Sequence, residues 1–189
     1  VPESAQGNAG YLVDVNVNVN LKSQQALSKD FPMPHTRHVP KPLEARDPLW
    51  ESKVRESFTK QGAMGLLGAE LTAIRPGHCE IRLKFRPDLT QQNGFFHAGI
   101  TSTIVDSAAG YAGFSLMPPN TDVLSVEFKI NLLAPADGEM LIATGDVLKS
   151  GRNLVIARGE VYAVKNGVTT HCATMQQTLM TMHHKTEKK

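Results

Sequence analysis

Cysteine and tryptophan are scarce in this sequence, which has two of the first and one of the second in 189 residues. Cys79 and Cys172 sit in alternating apolar runs with no ligand-spaced partner. That excludes a disulfide-built secreted scaffold or a cysteine metal site and points to buried free thiols in a reducing compartment. Long apolar runs are also missing. No stretch reaches the roughly 20 apolar residues a membrane-spanning helix needs, and the opening "VPESAQGNAG" resembles neither a signal peptide nor an arginine-rich transit peptide. A soluble, intracellular protein is expected. A start at Val1 instead of methionine fits an import sequence already removed, so mitochondrial matrix and cytoplasm both stay open. Charge of one sign is lacking too: the formal net charge is only +2 and lysines gather in the terminal "HHKTEKK". A nucleic-acid footprint is excluded on that ground.

What is present is 41% hydrophobic and 20% charged residues, enough for one core with an extension. Residues 1–46 form a separate polar zone, with the alternating "VDVNVNVNLK" at 13–22 and a proline-punctuated stretch to Pro42. It is expected to be an extended arm, with 13–22 equally readable as an edge strand or as irregular chain. His35 and His38 lack the cysteine or acidic company a metal would need, and no metal site is expected. The folded domain is placed at 47–182, followed by a charged tail at 183–189.

In "DPLWESKVRESFTKQG", Asp47 can cap and Pro48 suits a first helical position. Leu49, Val54 and Phe58 make a partial stripe, which predicts a helix over about 48–61. Gly62, Gly65 and Gly68 are then expected to break the chain. Two strands joined at Pro76-Gly77 follow, the second alternating Cys79, Ile81, Leu83 and Phe85 against charged residues. After an apolar helix beginning near residue 98, "VLSVEFKINLL" places Leu124, Val126, Phe128, Ile130 and Leu132 on one face and Ser125, Glu127, Lys129 and Asn131 on the other. Strands near 139–149, 152–164 and 168–181 follow, with hairpin turns at "KSGRN" and "KNG". This order predicts an α+β domain, an antiparallel sheet covered by one long helix.

The long helix carries one carboxylate, Asp106, among Ile104, Val105, Ala108 and Ala109. Periodicity alone allows a simply wet helix face there. An ionised group in that company otherwise needs donors or a solvent-filled cleft. The helix start, "FFHAG", offers unpaired backbone N–H groups and a positive dipole end, a site for an oxyanion. Asp106 lies about 11 Å further along the axis at about 1.5 Å per residue, too far to serve that site within one chain. In a two-fold dimer with antiparallel helices the start of one helix meets the middle of the other.

The run Gln91-x-x-Gly94-x-x-His97-Ala98-Gly99 with Asp106 nine residues after the histidine resembles the signature of the hotdog-fold acyl-CoA thioesterases of the PaaI type. "SVEFKINLLAPA" at 125–136 and "KSGRN" at 149–153 are similar to further family segments, and the resemblance spans about residues 50–182. It implies a long helix wrapped by a curved antiparallel sheet, a homodimer or homotetramer, and hydrolysis of acyl-CoA thioesters with no metal and no cofactor, CoA being part of the substrate. It further implies that Asp106 is general base or nucleophile and that the N–H of Ala98, with Gly99, stabilises the oxyanion. Gln91 would orient the carbonyl or the water, and Ser125 would hold water beside Asp106. His97 is expected to brace its turn by hydrogen bonding, and Gly151 and Arg152 to lie near the CoA phosphates or else to be a plain hairpin. Ala98 stands where the family usually has glycine, which predicts an altered rate or acyl preference. Two rivals remain at this stage: a thioesterase-like subunit docked to a protein partner through residues 1–46, and an acyl-CoA sensor that binds without turnover.

Overall fold

The computed structural model describes residues 42–184; the expectations for the strand at 13–22, for His35 and His38 and for the last residues of the tail lie outside them. Asp47 precedes the first helix. Its Oδ1 accepts the Leu49 N–H at 2.9 Å and its carbonyl accepts the Trp50 N–H at 3.1 Å, which launches helix α1 (Trp50–Lys60). Two i,i+4 pairs, Glu51–Arg55 and Glu56–Lys60, lie on its wet side, while Val54 is buried and Phe58 packs edge-on against Tyr111, ring centroids 5.7 Å apart.

Gln61 is extended and ends α1, but the chain does not break at the first two glycines as expected. Residues Gly62–Leu67 form a short helix, α2. Met64 and Leu67 are buried, and their burial outweighs the glycines' cost of about 1 kcal/mol each. Only Gly68 stops the helix, at φ 72°.

The strands are β1 (Glu70–Arg75), β2 (His78–Lys84), β3 (Thr121–Leu132), β4 (Met140–Ser150), β5 (Leu154–Lys165) and β6 (Val168–His183), in the sheet order β1-β2-β4-β5-β6-β3, with every pairing antiparallel. Pro76-Gly77 makes the expected first turn, with Gly77 at φ 79°, and Asn166-Gly167, both at positive φ, close the last hairpin. Helix α3 (Ala98–Phe114) lies between the early and late strands in sequence and touches β2 through β6. One helix meets five strands only if the sheet curls around it, which is the hotdog arrangement expected from the resemblance. Among the described residues no helix is long and apolar enough to cross a membrane.

The close fit of α3 has a sequence cause. Ala108, Ala109, Gly110, Ala112 and Gly113 are buried and small, and beneath them β4 and β5 present the register pair Gly145 and Gly159. A Cβ on Gly145 would stand 2.5 Å from the carbonyl carbon of Ala108 and from the Cα of Ala109. Helix backbone thus rests on strand backbone. Around this contact Ile104, Val105, Ile81, Leu141 and Leu179 fill the core, each contributing about 2 kcal/mol by burial.

Candidate active site

The start of α3 is held from three sides. Phe96 N–H donates to Ala136 O at 3.0 Å, His97 N–H to Leu89 O at 2.9 Å, and Gln91 N–H to Phe95 O at 2.9 Å. His97 is the N-cap residue, and its Nδ1 accepts the Gly99 N–H at 2.9 Å. This hydrogen bond closes the turn at the helix start. It also corrects one expectation, since the Gly99 N–H is spent on the imidazole and is not free for an oxyanion. Ala98 N–H, the first of the helix, has no acceptor among the described residues.

Gln91 lies beside it with its Oε1 turned back onto the Asn93 N–H, which leaves the Nε2 hydrogens available. Gln91 and Ala98 line a cavity of about 450 Å³ whose other walls include Phe95, Phe96, Leu132 and Cys172. Burial pushes the Cys172 thiol up to about 11, so it stays a thiol near neutral pH and offers no nucleophilic sulfur.

Asp106 projects from the middle of α3 into a different and smaller cavity, of about 150 Å³, lined by Ser57, Gln61, Ser107, Tyr111 and Ser125. Ser125 Oγ donates to Asp106 Oδ1 at 2.8 Å. The strict alternation expected of β3 would have turned Ser125 away from its apolar neighbours, but the register of β3 on β6 slips between Ser125 and Glu127. Ser125 pairs with buried Leu179, and beyond the slip Phe128 pairs with buried Gln177. Cross-strand partners share a face, so the bulge at Val126 puts Ser125, Phe128, Ile130 and Leu132 inward together and leaves Leu124 outward.

Two residues of this site escaped the sequence reading. Gln177 Nε2 donates to Asp106 Oδ1, and to Ser125 Oγ at 2.7 Å. Its one signal was phase: between Met175 and Leu179 on the inward side of a strand, a glutamine is out of place. Gln61 accepts from Ser107 Oγ at 3.2 Å and sits at the α1–α2 junction, where no pattern marks it. Ser57 Oγ and the Tyr111 hydroxyl lie 3.5 Å apart across the same cavity, and burial pushes the Tyr111 phenol up, which keeps it a donor.

Gly151 and Arg152 form the β4–β5 turn, where the Gly151 N–H donates to Leu154 O at 2.8 Å. Arg46, assigned by sequence to the arm, reaches this turn and donates to Ser150 Oγ at 2.9 Å and to Gly151 O at 2.8 Å. Neither cavity includes these residues. The structure therefore separates the expected site into three groups: Gln91 with Ala98, Asp106 with Ser125, and the turn. Among the described residues no group of three or more histidine, cysteine or acidic side chains gathers as metal ligands.

Comparison with known proteins agrees with the fold. A model of the thioesterase superfamily matches residues 93–170. A thioesterase family protein from Silicibacter pomeroyi of known structure is 46% identical, covers 71% of this chain and 99% of its own, and superposes with a TM-score of 0.71. The PaaI protein of the E. coli phenylacetic acid degradation operon shares the fold at 15% identity, with 72% and 95% of the two chains covered and a TM-score of 0.63. The 1,4-dihydroxy-2-naphthoyl-CoA hydrolase of Listeria monocytogenes is 22% identical over 92 residues, 49% of this chain and 75% of that one.

Proposed function

The chain belongs to the hotdog-fold thioesterase superfamily, and from that premise we propose that it hydrolyses the thioester bond of an acyl-CoA, giving free acid and CoA, at sites shared by two copies of the chain. The observation that carries the reading is the Asp106 carboxylate held by Ser125 at 2.8 Å in a small polar cavity of an otherwise apolar helix. A carboxylate fixed in that way is a base for water or a nucleophile toward a carbonyl carbon.

The remaining parts follow from what each group has left to offer. Ala98 N–H, at the positive end of α3, stabilises the oxygen anion that forms as the carbonyl carbon is attacked. Gln91 Nε2 orients the carbonyl. Water supplies the hydroxyl of the acid and the proton that leaves on the CoA sulfur. The apolar cavity beside Ala98 takes the acyl group, aryl or fatty, and the Arg46–Gly151–Arg152 turn offers guanidinium groups to the CoA phosphates.

Sharing follows from distance. Ala98 and Asp106 are eight residues apart on one rigid helix, about 12 Å along its axis, and they line separate cavities. The sheet edge supports a second copy. β3 is an edge strand of 12 residues with exposed apolar side chains on both faces, Leu124 (54%) on the outward one and Phe128 (46%) and Leu132 (56%) on the inward one. A long apolar edge of that kind is an association site unless it is covered.

The test is thiol release from short, medium, long and aryl acyl-CoAs by the protein and its Asp106→Asn variant. Turnover that falls at least about a hundredfold in the variant, with the oligomer unchanged, supports the reading. Equal rates in both proteins would defeat it.

A further inference from the structure

Gln177 is fully buried on the inward face of β6, between Met175 and Leu179. Its amide has two ends with opposite fates. Nε2 donates one hydrogen to Asp106 Oδ1 and one to Ser125 Oγ, and Ser125 passes its own hydroxyl hydrogen to the same Oδ1. Every hydrogen in this triangle has one acceptor. Oε1, by contrast, is buried with no hydrogen-bond partner among the described residues.

A side chain kept for stability would not look like this. Leucine or methionine fills a similar volume and leaves no carbonyl oxygen stripped of water. The amide is therefore kept for its two N–H donors, and these serve only Asp106 and Ser125. With the amide reversed, Oε1 would face an Asp106 oxygen that already accepts from Ser125, so the Nε2 end is the one that suits this contact.

We propose that Gln177 is a positioning residue for the reaction: it fixes the Asp106 carboxylate through Oδ1, aims the Ser125 hydroxyl at that same oxygen, and leaves Oδ2 as the reacting atom. The proposal rests on the reading of Asp106 as the catalytic carboxylate. Oδ2 accepts no hydrogen bond among the described residues. Ser125 Oγ, which accepts from Gln177 and donates to Asp106, keeps one lone pair with which to receive a water hydrogen. That is how it holds water beside the carboxylate.

The test compares Gln177→Leu with the wild type, with Gln177→Met beside it should leucine crowd Asp106. A carboxylate left free to turn is misplaced for attack while substrate still binds. The expected result is kcat lower by about tenfold or more, KM within twofold, and a melting temperature equal to or above the wild type. Unchanged kcat in an active enzyme would overturn the inference and leave the thioesterase reading standing. So would a loss of rate that tracks a lower melting temperature, since that is the mark of a structural amide. A readout without turnover separates the two proposals: crystal structures of wild type and variant compared at Asp106 and Ser125. An Asp106 carboxylate turned away from Ser125 or spread over two orientations in the variant supports the positioning role, and the turnover assay alone then decides whether that carboxylate is catalytic. A carboxylate and hydroxyl left in place overturn the positioning role.

Discussion

Substituting Gly145 by alanine tests whether the packing of α3 and the chemistry of Asp106 are one feature. The added methyl would stand 2.5 Å from backbone atoms of Ala108 and Ala109, where ordinary contact begins at 3.4 Å. Neither neighbour is a side chain that can rotate away, so helix and strand must separate by about 1 Å. Overpacking of this kind costs up to about 3 kcal/mol, which for a domain of this size lowers the melting temperature by about 10 °C. The same displacement moves Asp106, two residues before Ala108, relative to Ser125 on β3, and an error of about 1 Å in a reacting group costs about a hundredfold in rate. Thermal melting and thioester turnover are measured on Gly145→Ala and, for comparison, on Gly159→Ala. At Gly159 the methyl meets Val105 Cγ2, a side-chain atom, so the loss in both measurements is smaller. If Gly145→Ala melts within about 2 °C of the wild type at full activity, helix backbone does not rest on strand backbone as described.

Ala98→Pro removes one N–H and little else. Proline suits the first helical position, and His97 before it is already extended at φ −65°, ψ 139°. The melting temperature should hold while kcat falls by about 10²–10³, the usual loss for one oxyanion donor. Lys53→Met leaves Asp47, nearly buried and bonded to Lys53 Nζ at 2.9 Å, without its cation, and should cost about 3 kcal/mol in a denaturant titration. The hydrogen bond from Lys53 holds the Asp47 carboxyl below its ordinary value, so its contribution to stability is complete above that value and is lost as pH falls through the lowered one. The gap in stability between wild type and Lys53→Met should therefore narrow on acidification below about pH 4.

The fold was legible wherever burial imposed a period. Helix α3 and the late strands alternate or cycle cleanly because one side of each faces the core, and their turns carry Asn-Gly or Gly-Arg. Helix α2 was not legible, because two of its six residues are glycines and Met64 and Leu67 alone hold it in place. The bulge at Val126 was hidden as well. An extra residue changes the phase of β3 without changing its composition, so Ser125 fell on the wrong face although its partnership with Asp106 had been expected. At the helix start the sequence showed small residues and free N–H groups, but not that His97 would fold back onto Gly99 and consume one of them. Gln177 was visible only as a polar residue out of phase, and its partners lie 52 and 71 positions away.

The central claim is that Ala98 of one copy and Asp106 of another complete a single site. Ala98→Pro and Asp106→Asn proteins, each purified as an oligomer, can be unfolded together, refolded and assayed for thiol release. In random dimers half are mixed, and each mixed dimer carries one site with both groups intact and one with neither. The account predicts that two nearly inactive proteins yield about a quarter of wild-type activity after mixing. Mixed dimers that form but show no more activity than the parents would contradict it.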